Sequence, residues 1–104
     1  MMASQPSTIE FFERHPLQKF EVGTRKFVPL RVTNLQVDYD DGLWSVSLAP
    51  LDAVGSSQDF QEAKRLLFEY IDFLWNEYVQ CPEEELGETG KMLRDLLLEL
   101  FTVS

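Results

Sequence analysis

Residues 60–79 read FQEAKRLLFEYIDFLWNEYV, twenty residues without a proline or glycine. The spacing predicts one helix, with Phe60, Leu67, Ile71, Leu74 and Tyr78 at the centre of an apolar face. Ala63, Leu66, Tyr70 and Phe73 flank that face on one side, and Phe68, Trp75 and Val79 on the other. Together they cover an arc of about 240°, against the roughly 100° that a helix resting on a single core needs. Gln61, Glu62, Arg65, Glu69, Asp72 and Asn76 fill the remaining wedge. Asp59 precedes Glu62 by three residues and supplies an N-cap whose charge suits the positive helix end. Burying each large apolar side chain contributes about 1.5–3 kcal/mol, so both flanks require a cover.

Moving towards the N-terminus, Leu51–Gln58 is a connection with a short strand expected at Ala53-Val54. Trp44, Val46 and Leu48 alternate with Ser45, Ser47 and Ala49, a strand with one apolar and one small polar face that Pro50 closes. Asp40-Asp41-Gly42 tolerates the positive φ angles of a tight reversal and marks a hairpin. Upstream, Val28, Leu30 and Val32 share one parity, whereas Leu35, Val37 and Tyr39 share the other. A period of two that changes parity predicts an inserted residue, a β-bulge at Thr33-Asn34. Pro29 lacks an amide donor and predicts an edge or irregular position. Leu17–Val22 reads as a short extended piece before a turn at Gly23-Thr24. Ser7-Thr8-Ile9-Glu10 has capping-box spacing, which predicts a short helix over Thr8–Arg14 that Pro16 ends, with His15 capping it. Residues 1–6 are expected to form a flexible terminus, and residues 7–104 one domain.

Beyond the long helix, Cys81–Gly90 is an acidic loop. Lys91–Phe101 is again amphipathic, with Leu93, Leu96, Leu97, Leu100 and Phe101 together. A helical hairpin would lay this face on one flank of residues 60–79, and a second copy of the chain is the other candidate cover. The expected fold is α+β: a small antiparallel sheet of two or three strands on one long amphipathic helix, plus a short N-terminal and a C-terminal helix.

A chain of 104 residues with 44% apolar and 12% aromatic content builds one core. Nine basic against eighteen acidic residues give a net charge of −9. That balance disfavours nucleic acid and anionic membranes, which are bound through Lys and Arg, and attracts a basic protein. One cysteine, Cys81, forms neither a disulfide framework nor a cysteine-based zinc site. The first sixteen residues carry Glu10, Glu13 and Arg14 instead of a signal-peptide core, and no apolar run is long enough to span a bilayer. The expected location is the cytoplasm.

The run Asp41-Gly42-Leu43-Trp44-Ser45-Val46-Ser47-Leu48-Ala49-Pro50-Leu51, followed by Asp59-Phe60-Gln61-Glu62-Ala63, resembles the HicB-like antitoxin domain. That family has an aromatic-bearing strand ending in a Pro-acidic-Leu turn and then a capped Thr-x-Glu-Glu-Ala helix start; here Asp59 stands in the capping place. The resemblance covers about half the chain, roughly residues 27–79. It implies binding and neutralisation of a small basic toxin or nuclease. Operator binding is not implied, because residues 86–104 are too short and too poor in basic side chains for the DNA-binding module that many members carry.

No catalytic, cofactor or metal constellation stands out. Asp38, Asp40 and Asp41 with Glu62 or Glu69 would make a metal cluster, but turn chemistry, capping and a solvated wedge account for them. The expected role is a non-enzymatic protein–protein interaction module that forms a homodimer through Phe68, Tyr70, Phe73, Trp75 and Val79. The competing expectation is a small enzyme or ligand-binding protein with a site between sheet and long helix.

Overall fold

The computed structural model describes residues 11–104. Among them, strands β1 (Phe11–Pro16), β2 (Phe20–Val22), β3 (Arg25–Pro29), β4 (Asn34–Asp40), β5 (Leu43–Leu48) and β6 (Ala53–Ser57) precede helix α1 (Phe60–Leu74). A π-helical turn, Trp75–Val79, prolongs α1; helix α2 (Glu88–Leu100) and strand β7 (Phe101–Val103) follow. The strands form two antiparallel sheets, one in the order β1-β4-β5-β6 and one in the order β2-β3-β7. The α+β class stands, but two sheets and seven strands replace the single sheet of two or three.

The β4–β5 hairpin forms where expected. Asp41 and Gly42 both take positive φ, 55° and 79°, the backbone that twists with the flanking strands. Its register sets Val37 opposite Val46 and Tyr39 opposite Trp44. β6 extends the meander and runs past the expected Ala53-Val54 to Ser57, with Gly55 opposite Val46. Leu35, Val37, Val46, Leu48 and Ala53 are thereby buried on one face. Gly55 brings α1 onto that face. A Cβ there would lie 2.2 Å from the Ala63 carbonyl oxygen and 2.5 Å from the Leu67 amide nitrogen.

Two expectations need correction. Phe11–Arg14 belongs to β1, not to a helix, because the outer edge of β4 pairs with it from Phe11↔Tyr39 to Pro16↔Asn34; the capping box at Ser7–Glu10 and the terminus 1–6 lie outside the described residues. The parity change near Thr33 is no bulge. Val28 belongs to the three-stranded sheet and Leu35 to the four-stranded one, so the chain changes sheets between them. The other connection, between β1 and β2, runs beside this one and is tied to it by a 2.7 Å hydrogen bond from the Leu17 amide to the Thr33 carbonyl. Pro29 ends β3, the central strand of its sheet, at a point that is locally an edge. The amides of Lys26 and Leu30 donate towards the C-terminal segment, so the nitrogen of Pro29 points the other way, where β2 has already ended.

α1 lies between the two sheets. Asp59 caps it, accepting from the Glu62 amide at 2.9 Å. The Asp59 amide donates to Ser57 Oγ, and the Glu62 carboxylate meets Arg65 instead of reaching back to the cap. α2 packs on the Trp75–Val79 turn and on the 3₁₀ turn Ala49–Leu51. Its apolar face seats Leu97 and Leu100 in the core. Phe101 leaves the helix to begin β7, beside Pro29.

Candidate functional site

The two flanks of α1 have different fates. Phe20, Phe27 and Phe101, from the three strands of the smaller sheet, turn towards Phe68 and Trp75. Phe20 stacks on Phe68 with ring centroids 4.0 Å apart and on Phe27 at 4.8 Å. Trp75 and Phe101 meet Phe27 edge-on, each at 5.6 Å. Stacked and edge-to-face contacts of this kind add about 0.5–1.5 kcal/mol per pair to area burial. Trp75 is 6% exposed, and Phe68 and Val79 are half-buried against the same core. This flank is covered within the chain, by strands from its two ends. Arg25 of β3 closes the seam, donating to Asp72 at 2.6 Å and to Gln80 at 3.3 Å.

Tyr70 and Phe73 occupy the opposite flank. They remain 42% and 52% exposed, stacked on each other with centroids 6.1 Å apart and planes 17° from parallel. On the helical wheel they lie with Leu66 and Ala63, away from Phe68 and Trp75 and therefore away from the smaller sheet. Beneath α1 runs β6, the outermost described strand of the larger sheet, with Gly55 against the helix backbone at Ala63 and Leu67. Val54 of that strand is 54% exposed on the opposite sheet face. Among the described residues, β6 has no neighbour on its outer side. Of the five expected interface residues, two form a surface and three line or adjoin the core.

Charge around this surface is partly compensated. Arg65 sits between Glu62 and Glu69 and bonds both. Its hydrogen bond holds the Glu62 carboxyl below the usual value and, with Glu69, raises the guanidinium's own. All three groups are at the surface, so their contribution is screened.

The imagined metal cluster is dispersed. Asp38 and Asp40 point to the face of the larger sheet away from α1, because Tyr39 between them shares the parity of Val37; Glu69 lies on the solvated side of the helix. No cluster of three or more His, Cys, Asp or Glu side chains suited to a metal occurs among the described residues. Cys81, partly buried, has its Sγ 3.8 Å from Glu85. Desolvation first, then the Glu85 carboxylate, push its thiol above the ordinary value, which keeps it protonated and slow to react near neutrality.

Two recesses border the N-terminal half of α1. One, of about 330 Å³, lies against the β2–β3 turn and is lined by Glu21, Gly23, Lys64, Arg65 and Phe68. The other, of about 160 Å³, is lined by Glu13, His15, Val37, Trp44 and Phe60. The second joins β1 to the helix start, a neighbourhood that no local spacing announces, because the β1–β4 pairing is what carries His15 to Phe60. No described helix is long and apolar enough to cross a membrane. No family model, no curated protein and no solved structure matches the chain.

Proposed function

We propose that this chain is a non-enzymatic protein–protein interaction module, working in the cytoplasm, that self-associates through the Tyr70–Phe73 flank of α1. The observation that carries this reading is the exposed, mutually stacked pair of aromatic rings on a helix whose opposite flank is already covered. Exposed aromatic pairs are enriched at the centres of interfaces. A two-fold arrangement would set each pair against its copy, since an isologous contact uses the same surface twice. β6, which has no neighbour on its outer side among the described residues, offers backbone donors and acceptors of the kind that pair edge to edge.

In its sharper form the partner beyond the second copy is a small basic toxin or nuclease, as the resemblance to HicB-like antitoxins implies. The net charge of −9 supports a basic partner. A short basic toxin-like reading frame beside the gene is the observation that this version requires, and its absence removes it. Self-association is tested separately. Light scattering on wild type and on Tyr70→Glu/Phe73→Glu should give a dimer and a folded monomer. Equal masses for the two proteins would refute the assignment.

A further inference from the structure

Among the described residues, three exposed apolar side chains fall close together on the smaller sheet and the connection that leaves it. Val28 is 38% exposed, Leu30 54% and Val32 92%. Phe27 is turned into the core, and the Leu30 amide still donates to the Leu100 carbonyl at 2.8 Å. The strand alternation therefore puts Lys26, Val28 and Leu30 together on the outward face. Two shallow recesses, of about 410 and 500 Å³, lie along this face, and both are lined by Lys19 and Val28. They form one groove that runs from Lys26 to Val32. Scattered apolar side chains on a surface are ordinary, whereas a contiguous group marks an interaction site. A groove this shallow does not enclose a small molecule, but its length suits an extended chain.

The rim of this groove has the opposite sign to the chain. Five of the nine Lys and Arg residues lie between positions 14 and 31, against one of the eighteen Asp and Glu. Arg25 is engaged by Asp72, but Lys19 and Lys26 make no ion pair among the described residues. Arg31 reaches Glu99 at 3.7 Å with both side chains more than half exposed, a contact that a competing carboxylate displaces at little cost. Glu21, the cross-strand neighbour of Lys26, is the one carboxylate side chain among the described residues that line the groove. We propose that the groove binds an extended segment of another polypeptide that carries both apolar and acidic residues. Its apolar side chains rest on Val28, Leu30 and Val32, and its carboxylates meet Lys19, Lys26 and Arg31. Flexible lysine stems let an ammonium group follow a carboxylate on either side of an apolar contact. Screening confines other charges to a reach of about 8 Å at physiological ionic strength, so a segment inside the groove meets the lysines. A flat anionic bilayer would meet the acidic remainder of the surface as well. Neither Tyr70 nor Phe73 lines this groove, and the proposal does not rest on self-association.

The probe is a fluorescein-labelled peptide, Glu-Leu-Glu-Val-Glu-Leu-Glu, titrated with the full chain and followed by anisotropy. Binding should saturate with a Kd on the order of 100 μM, as for a weak single-segment contact. Replacing the peptide's Leu and Val by Ser, or its Glu by Lys, should weaken binding about tenfold in each case. In ¹⁵N-labelled protein the unlabelled peptide should move the amides of Val28, Leu30, Arg31 and Val32 and leave those of Ser45 and Ser56, on the larger sheet, in place. Val32→Asp, at an almost fully exposed position, keeps the fold and should weaken the acidic peptide about tenfold. Lys19→Gln/Lys26→Gln, also at exposed positions, should weaken it about fivefold, the effect of two exposed ion pairs. Absence of binding up to about 1 mM, equal affinity for the Ser or Lys peptide, or unchanged affinity in both variants overturns the proposal. Sedimentation of wild type with phosphatidylserine vesicles that Val32→Asp abolishes would give the groove to a membrane. Movement of the same amides on dilution without peptide would give it to a second copy. Either result also overturns the proposal.

Discussion

Replacing Gly55 by alanine tests whether α1 rests on β6 backbone to backbone. The new Cβ would lie 2.2 Å from the Ala63 oxygen, 2.5 Å from the Leu67 nitrogen and 3.1 Å from the Leu66 carbonyl carbon. All three are main-chain atoms, so no rotamer change relieves the overlap. Restoring ordinary contact lifts α1 by roughly 1 Å, and a gap of that size forfeits a quarter to a half of each dispersion contact. Ala63 and Leu67, both fully buried, would lose contacts first. Overpacking of a filled core costs about 1–3 kcal/mol, and the rigid main chain places this site at the upper end. The lower entropy of the unfolded alanine chain returns about 0.4–1 kcal/mol. The expected net loss is about 2–2.5 kcal/mol, a fall in Tm of about 10–20 °C for a domain of this size. Urea unfolding followed by far-ultraviolet circular dichroism measures it, with an unchanged m-value confirming the same transition. A variant within about 0.5 kcal/mol of wild type, the ordinary range for substitutions away from close packing, would refute the helix position.

Other consequences follow from single contacts. Phe27→Ala removes the ring on which Phe20, Trp75 and Phe101 converge; it should cost about 3–5 kcal/mol, and a loss below 1 kcal/mol in denaturant titration would contradict the aromatic seam. Gly87 is the N-cap of α2 without a side-chain cap, and the space around it is open. Gly87→Ser should therefore stabilise by a few tenths of a kcal/mol, seen as a higher urea midpoint, whereas a lower one would misplace the helix start. Cys81 should react slowly with a thiol reagent at neutral pH, and Glu85→Gln should speed it, because removing the neighbouring charge lowers the thiol's raised pKa. An unchanged rate would show that the carboxylate does not reach the sulfur.

Local chemistry made half of this fold legible. The Asp41-Gly42 reversal, the alternation from Trp44 to Leu48 and the Asp59 cap are each decided within a few residues. The smaller sheet is decided across the whole chain: Phe27 pairs with Phe20 on one side and with Val103 on the other. Three-residue strands such as β2 and β7 carry too little periodicity to read, and nothing punctuates the change from α2 to β7, where Leu100 runs straight into Phe101. The same gap explains the candidate site. The need for a cover over Phe68 and Trp75 was visible in the wheel, but its source was not, so both flanks looked equally available to a second copy. Phe11 and Phe12 beside a capping-box pattern suggested a helix. The unpaired edge of β4 drew them into a strand, and this brought Glu13 and His15 beside Phe60.

The chain itself covers the Phe68–Trp75 flank of α1, and we propose that a second copy covers the Tyr70–Phe73 flank. Sedimentation equilibrium of Phe73→Glu and Trp75→Glu beside wild type tests it most directly. Wild type should be a dimer, Phe73→Glu a folded monomer, and Trp75→Glu should lose the folded state. A wild type that stays monomeric at high micromolar concentration, or a folded Trp75→Glu monomer, would contradict it.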